Sequence, residues 1–330
     1  MKIAIITPAP ARSRHGNRHT AARWAGFLRK AGHRVVVEQT WDGVSADVMI
    51  ALHARRSHES IRRFKSAYPD SPLVLVLTGT DLYRDIEHDA AARESLQIAD
   101  RLVVLQEKAP ERLPPALRRK VRVIYQSARS VTPRKPLDSC FEVVVCGHLR
   151  PEKDPFRAAA ALHYLPVGSR IRIVHMGGAM SADMACEARR WMTRESRYRW
   201  LDEVSHAQTM RRLTRSRLMV ISSRLEGGAN VVSEALTAGV PVIASRIPGN
   251  IGMLGPNYAG YFPAENEKAL AAALWRAESD ARFLRKLQRQ CASRSALVRP
   301  EREAASLRRL LKELGLSRAT SKRRQSAVGR

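Results

Sequence analysis

Glu226 and Glu234 stand eight residues apart in Arg224–Ser245, which reads RLEGGANVVSEALTAGVPVIAS. Gly227, Gly228, Ala229 and Asn230 follow the first glutamate and open a helix. The second glutamate falls about one turn into it, Gly239 ends it, and Pro241–Ser245 reads as a buried strand. A helix start offers backbone N–H groups to an anion. Glycines let a phosphate approach without a Cβ in the way. Carboxylates repel phosphates but accept hydrogen bonds from sugar hydroxyls. Phosphate donors beside hydroxyl acceptors describe a nucleotide-sugar site. The bare glutamate pair is equally compatible with a solvated helix face.

Two cations form the second constellation. Arg150 and Lys153 lie in Cys146–Pro155 (CGHLRPEKDP), directly after an apolar strand. Arg as a fork and Lys as a point charge can neutralise a departing nucleotide diphosphate. That is the main electrostatic task of glycosyl transfer. No Asp-x-Asp pair occurs to hold a divalent metal on the diphosphate, so the expectation is no metal and no cofactor.

The third stretch, Thr7–Trp24, carries Arg12, Arg14, His15, Arg18 and His19 around Gly16 and Asn17. Asn17 is the expected helix N-cap. Such a density of cations suggests an anionic acceptor, although any one of them can also face solvent. A fourth stretch, Leu77–Tyr83 (LTGTDLY), places Thr78 and Asp81 after a strand. Asp81 can bind a sugar hydroxyl or cap the following segment. His53, Arg55, Arg56 and His58 end a neighbouring strand and form a second candidate anion group.

The elements that must position these groups alternate. Strands are expected at Lys2–Thr7, 33–39, 47–54, 72–79, 101–107 and 121–127, with helices between. After a polar, proline-bearing linker at Ser130–Ser139, strands at 141–149, 170–178, 198–204 and 218–223 alternate with helices again. Asp154 is the expected N-cap of a helix beginning at Pro155, and Lys268–Leu314 reads as helix broken near Pro300. Such alternation implies parallel sheets covered by helices on both faces. The fold class is α/β, with two doubly wound Rossmann-like domains facing a central cleft. The expected divisions are 1–135 for the acceptor, 136–316 for the nucleotide sugar with terminal helices, and 317–330 as a basic, disordered tail.

The chain has 330 residues, enough for two cores, and a formal net charge of +27. That charge admits nucleic acid, an anionic membrane, small anionic substrates or simply an Arg-rich surface. Aromatics make up only 5%, with no interleaved basic-aromatic stacking motif, which argues against nucleic acid. No apolar run reaches the ~18 residues that span a bilayer. The basic segment Arg55–Lys65, with Ile61 and Phe64 as its apolar face, offers at most a lipid-docking helix. Four cysteines without metal-type spacing point to a reducing cytoplasm.

The glutamate segment resembles the donor-site signature of glycosyltransferase family 4, and Cys146–Pro155 resembles that family's Gly-x-Leu-x-x-x-Lys element. The resemblance implies the GT-B architecture and metal independence. It implies catalytic roles for Arg150, Lys153 and Glu226, with Glu226 on the hexose and Glu234 on the ribose. Gly16, Asn17 and the backbone from Gly227 through Gly228, Ala229 and Asn230 to Val231 complete the donor contacts. Many members place a histidine where Thr78 stands, and this departure puts deprotonation of an alcohol in doubt. Asn17–Val35, Leu77–Tyr83 and Gly147–Pro155 together look like the selenosugar synthases of selenoneine biosynthesis, over roughly residues 1–315. That resemblance implies a UDP-sugar, typically UDP-N-acetylglucosamine, and selenophosphate as substrates. Selenophosphate is anionic and already nucleophilic, so it needs no base at Thr78. The loop Arg12–His19, with Thr78 and Asp81, would then bind it. The alternative is an ordinary family 4 transferase acting on a sugar or lipid-carrier alcohol.

Overall fold

A computed structural model describes residues 1–10 and 16–316. Arg12, Arg14, His15 and the 317–330 tail lie outside the described residues. The chain forms two compact units, one of Met1–Gln126 with the segment from Pro300 onward, the other of Ser127–Arg299.

The N-terminal unit carries β1 (Lys2–Ile6), β2 (Arg34–Glu38), β3 (Val48–Leu52), β4 (Leu73–Val76), β5 (Arg101–Val104) and β6 (Val121–Val123). All pair in parallel, in the order β2-β1-β3-β4-β5-β6. The central strands β3 and β4 are buried at every position because helices cover both faces. Alternation along each strand splits the core in two. Ile3 and Ile5 face the helix Gly16–Lys30 through Trp24 and Leu28. Ala4 and Ile6 face the helix His58–Ala67 through Ile61 and Phe64. Those two side chains are fully buried, so the lipid-docking face expected for Arg55–Lys65 does not exist.

The last helix, Pro300–Glu313, packs with this unit and not with the second half that precedes it. Leu307, Leu310 and Leu311 lie on one helical stripe and enter the same core layer as Trp24. Buried Glu303 accepts from Trp24 Nε1 at 2.6 Å and Arg23 Nε at 2.8 Å. The sequence shows an amphipathic helix here; which sheet its leucines cover is a tertiary matter.

The C-terminal unit holds β7 (Phe141–Cys146), β8 (Ile171–Met176), β9 (Tyr198–Trp200), β10 (Leu218–Ile221), β11 (Val242–Ser245) and β12 (Tyr261–Phe262). The order is β12-β11-β10-β7-β8-β9, again parallel throughout. Strand β12 has two residues, too short for any pattern to announce it. The order in which strands are added reverses between β7 and β10, which are parallel neighbours in space. Such a switch point opens a crevice at the strands' C-terminal ends.

Candidate active site at the switch point of the C-terminal sheet

The two motif loops leave β7 and β10 side by side. A pocket opens there, lined among others by Gly147, Lys153, His175, Ser222, Ser223 and Glu226. Hydrogen bonds stitch the loops together. Ser222 Oγ donates to the Asp154 carbonyl at 2.9 Å, and Arg224 N to the Glu152 carbonyl at 2.9 Å. Glu226 is 6% exposed, and its Oε1 accepts from Lys153 Nζ at 2.5 Å and Ser223 Oγ at 2.6 Å. Lys153 ends a 3₁₀ turn that begins after Arg150. Arg150 Nε is buried and has no hydrogen-bond partner among the described residues. A buried N–H of a cation left unsatisfied is costly unless a ligand supplies an acceptor.

Asp154 does not cap the next helix. It adopts a left-handed conformation (φ 45°), and Arg157 Nε donates to its Oδ2 at 2.8 Å. The helix begins at Arg157 with Phe156 as N-cap, because the turn that presents Lys153 must finish first.

The helix Asn230–Thr237 starts directly after the glycine turn, with Ala229 as N-cap and no side chain capping it. Val232 N and Ser233 N donate to the Ala229 carbonyl at 3.0 and 3.3 Å. Glu234 lies one turn in, where Oε1 contacts His206 Nε2 at 2.8 Å. The hydrogen bond to Glu234 raises the His206 pKa, although the ring is 67% exposed. Burial pushes the Cys146 thiol up, and the Glu234 charge adds to that effect. This carboxylate therefore lies near the end of β7.

His175 is 1% exposed, with Nε2 3.0 Å from the Gly147 carbonyl and Nδ1 3.1 Å from Tyr198 OH. Burial lowers its pKa to about 4, so it is neutral at pH 7. It supports the backbone from which the Arg150–Lys153 loop departs. From the opposite side Gly177, at φ 149°, closes on the same carbonyl; a Cβ there would lie 2.1 Å from Gly147 O.

In the N-terminal unit the corresponding switch point lies between β1 and β3. Gly16 opens its helix, so Asn17 sits inside the first turn and not at the cap. Arg18 is half-buried and His19 exposed. Thr78 is partly exposed. Asp81 is fully buried. Its Oδ1 accepts from Thr78 N and Gly79 N at 2.8 Å each, and its Oδ2 from Ala54 N at 3.0 Å. Asp81 does not cap the following segment, whose N-cap is Thr80; its carboxylate clasps the Thr78–Gly79 loop to the loop at Ala54. In the second anion group Arg55 and Arg56 are exposed and the two histidines turn inward. Arg55 Nε donates to Asp85 at 3.0 Å, and His58 Nδ1 meets Ser95 Oγ at 3.0 Å. His53 is 2% exposed at φ 77°, with Nε2 3.1 Å from Thr80 Oγ1; burial lowers its pKa.

Sequence reasoning missed Ser223, His175 and His206. Ser223 precedes Glu226 by three residues, a spacing that also occurs in ordinary turns. His206 is 28 residues from Glu234 and only folding joins them. Among the described residues there is no group of three or more His, Cys, Asp or Glu that could hold a metal ion, and no helix long and apolar enough to cross a membrane.

Residues 133–296 match the family described as glycosyl transferases group 1. No curated protein matches the chain. Among solved structures, Anabaena Alr3699/HepE, in complex with UDP and glucose, superposes with a TM-score of 0.74 at 16% identity, covering 95% of this chain and 100% of that one. Sucrose-phosphate synthase from Thermosynechococcus elongatus gives 0.77 at 16%, covering 95% and 98%. The lipopolysaccharide outer core galactosyltransferase WaaB gives 0.72 at 13%, covering 95% and 99%. The pocket between β7 and β10 thus lies within the segment, residues 133–296, that matches the glycosyl transferases group 1 family, in a chain of GT-B fold.

Proposed function

We propose that this chain joins selenophosphate to the anomeric carbon of a UDP-sugar, UDP-N-acetylglucosamine being the expected donor. Selenium attacks the anomeric carbon, a C–Se bond forms, and the bond to UDP breaks with its electron pair on the diphosphate. Water then takes the phosphate from selenium, leaving a selenosugar.

The observation that carries the donor half is the Lys153–Glu226 pair beside the unsatisfied Arg150 Nε. Arg150 and Lys153 would take the diphosphate, and their charge would stabilise the leaving group. Glu226 would accept from hexose hydroxyls and Glu234 from the ribose. Gly227, Gly228 and the uncapped helix start would meet the phosphates. The UDP found in the Anabaena structure supports a uridine nucleotide.

The acceptor half rests on the cationic loop Arg12–His19, on Thr78 where a histidine base is common, and on its resemblance to selenosugar synthases. The nearest alternative base, His53, is buried with both ring nitrogens in contact with neighbours, since Arg56 N donates to Nδ1 at 3.3 Å. A nucleophile that needs no deprotonation suits such a site. The test is to incubate the protein with UDP-N-acetylglucosamine and selenophosphate and seek a selenium-containing hexose by mass. Transfer to a simple alcohol with no use of selenophosphate would refute this reading.

A further inference from the structure

Besides Lys153, Glu226 is held by residues that have no part in the donor contacts proposed above. Ser223 is 1% exposed, and its hydroxyl donates to Glu226 Oε1. Its carbonyl accepts from Ser245 Oγ at 2.5 Å, and Ser245 Oγ accepts from Asn250 Nδ2 at 3.0 Å. Asn250 and Ser245 are both fully buried. Gly249, beside Asn250, presses against the Glu226 backbone: a Cβ there would lie 2.1 Å from Glu226 O and 2.8 Å from Glu226 Cβ. Glu226 is thus fixed at its backbone by a glycine contact and at its carboxylate by two donors on the same oxygen.

A carboxylate oxygen has two lone-pair sites. Lys153 and Ser223 fill both on Oε1. No described group donates to Oε2. We infer that Ser223, braced by Ser245 and Asn250, is a specificity-determining positioning residue for the transferred hexose. It fixes Glu226 so that Oε2 alone, in one orientation, reads the sugar's hydroxyls. This rests on the reading that Glu226 faces the hexose. An oxygen fixed in direction distinguishes an equatorial from an axial hydroxyl, because the epimer's O–H points elsewhere and leaves the carboxylate unpaired. A carboxylate free to turn about Lys153 would follow either epimer.

The test is calorimetric binding of UDP, UDP-N-acetylglucosamine and its C4 epimer UDP-N-acetylgalactosamine to the full chain. No acceptor is needed, so the result is independent of selenophosphate. Ser223→Ala is expected to bind UDP within about twofold of wild type, because the nucleotide contacts are untouched. It should bind the preferred UDP-sugar roughly tenfold more weakly, the scale of one lost hydrogen bond to a charged group. The affinity ratio between the two epimers should shrink about fivefold or more, and Ser223→Thr, which keeps the hydroxyl, should restore it. Asn250→Ser, at the far end of the brace, should move the ratio in the same direction by less. An unchanged epimer ratio in Ser223→Ala overturns the inference. So does an equal loss for UDP alone, which would make Ser223 merely structural. Failure of wild type to bind UDP would refute the donor-site reading itself, and the inference with it.

Discussion

Replacing Lys153 separates what its ion pair does for the fold from what it does for the donor. Lys153 Nζ and Glu226 Oε1 are 2.5 Å apart, with side chains 22% and 7% exposed. Lys153→Met removes the charge and keeps most of the stem. Glu226 then sits nearly buried with Ser223 as its remaining donor. Breaking a buried pair costs ~3–5 kcal/mol, because one charge is stranded. The surviving Ser223 bond and the part-exposed lysine bring the expectation to about 2–3 kcal/mol. With a urea m-value of ~2–3 kcal/mol/M, the midpoint should fall by about 1 M. Adding Glu226→Gln removes the stranded charge, so the double variant should recover about half of the lost stability. Turnover of UDP-sugar should behave differently. Each single variant should lose roughly 30- to 1,000-fold, and the double should be no better than the worse single, because diphosphate and hexose contacts are both gone. Urea unfolding by tryptophan fluorescence and UDP release in coupled assay measure the two quantities. Near-wild-type turnover in Lys153→Met would refute the donor assignment. Additive stability losses would show that the two residues are not coupled.

Three further outcomes are expected. His175 titrates at about 4 in the folded chain against 6.5 ordinarily, so the unfolded chain binds its proton first; between those values stability should fall as pH falls, by ~3 kcal/mol in all, and His175→Gln should flatten that limb of an acid titration. Activity should persist in excess chelator, since on the proposed reading Arg150 and Lys153 neutralise the diphosphate; loss with EDTA and recovery with magnesium or manganese would show the leaving group is misassigned. Single alanine substitutions at Arg12, Arg14, His15, Arg18 and His19, assayed with saturating donor, should raise the apparent KM for selenophosphate at two or three positions; no rise at any of them would move the acceptor site elsewhere.

The sequence by itself determined the rhythm of the fold. Among the described residues, eleven of the twelve strands are runs that local composition marks, because buried parallel strands read as continuous apolar segments wherever they lie in the sheet. It also determined which residues stand on the two motif loops, since Arg150, Lys153, Glu226 and the glycine turn follow strands in the chain itself. Tertiary structure decided what those residues touch. Lys153 and Glu226 are 73 positions apart and meet only because β7 and β10 are neighbours across the switch point. The brace of Ser223, Ser245, Gly249 and Asn250 has no local signature, for it is made of small residues whose role is a close approach. The sequence left Asp81 open between a sugar hydroxyl and a cap on the next segment; folding buries it instead as a clasp between two loops. The last helix could cover either sheet by its amphipathic pattern. It joined the N-terminal one, where buried Glu303 accepts from Trp24 and Arg23, the donors that a buried carboxylate must have.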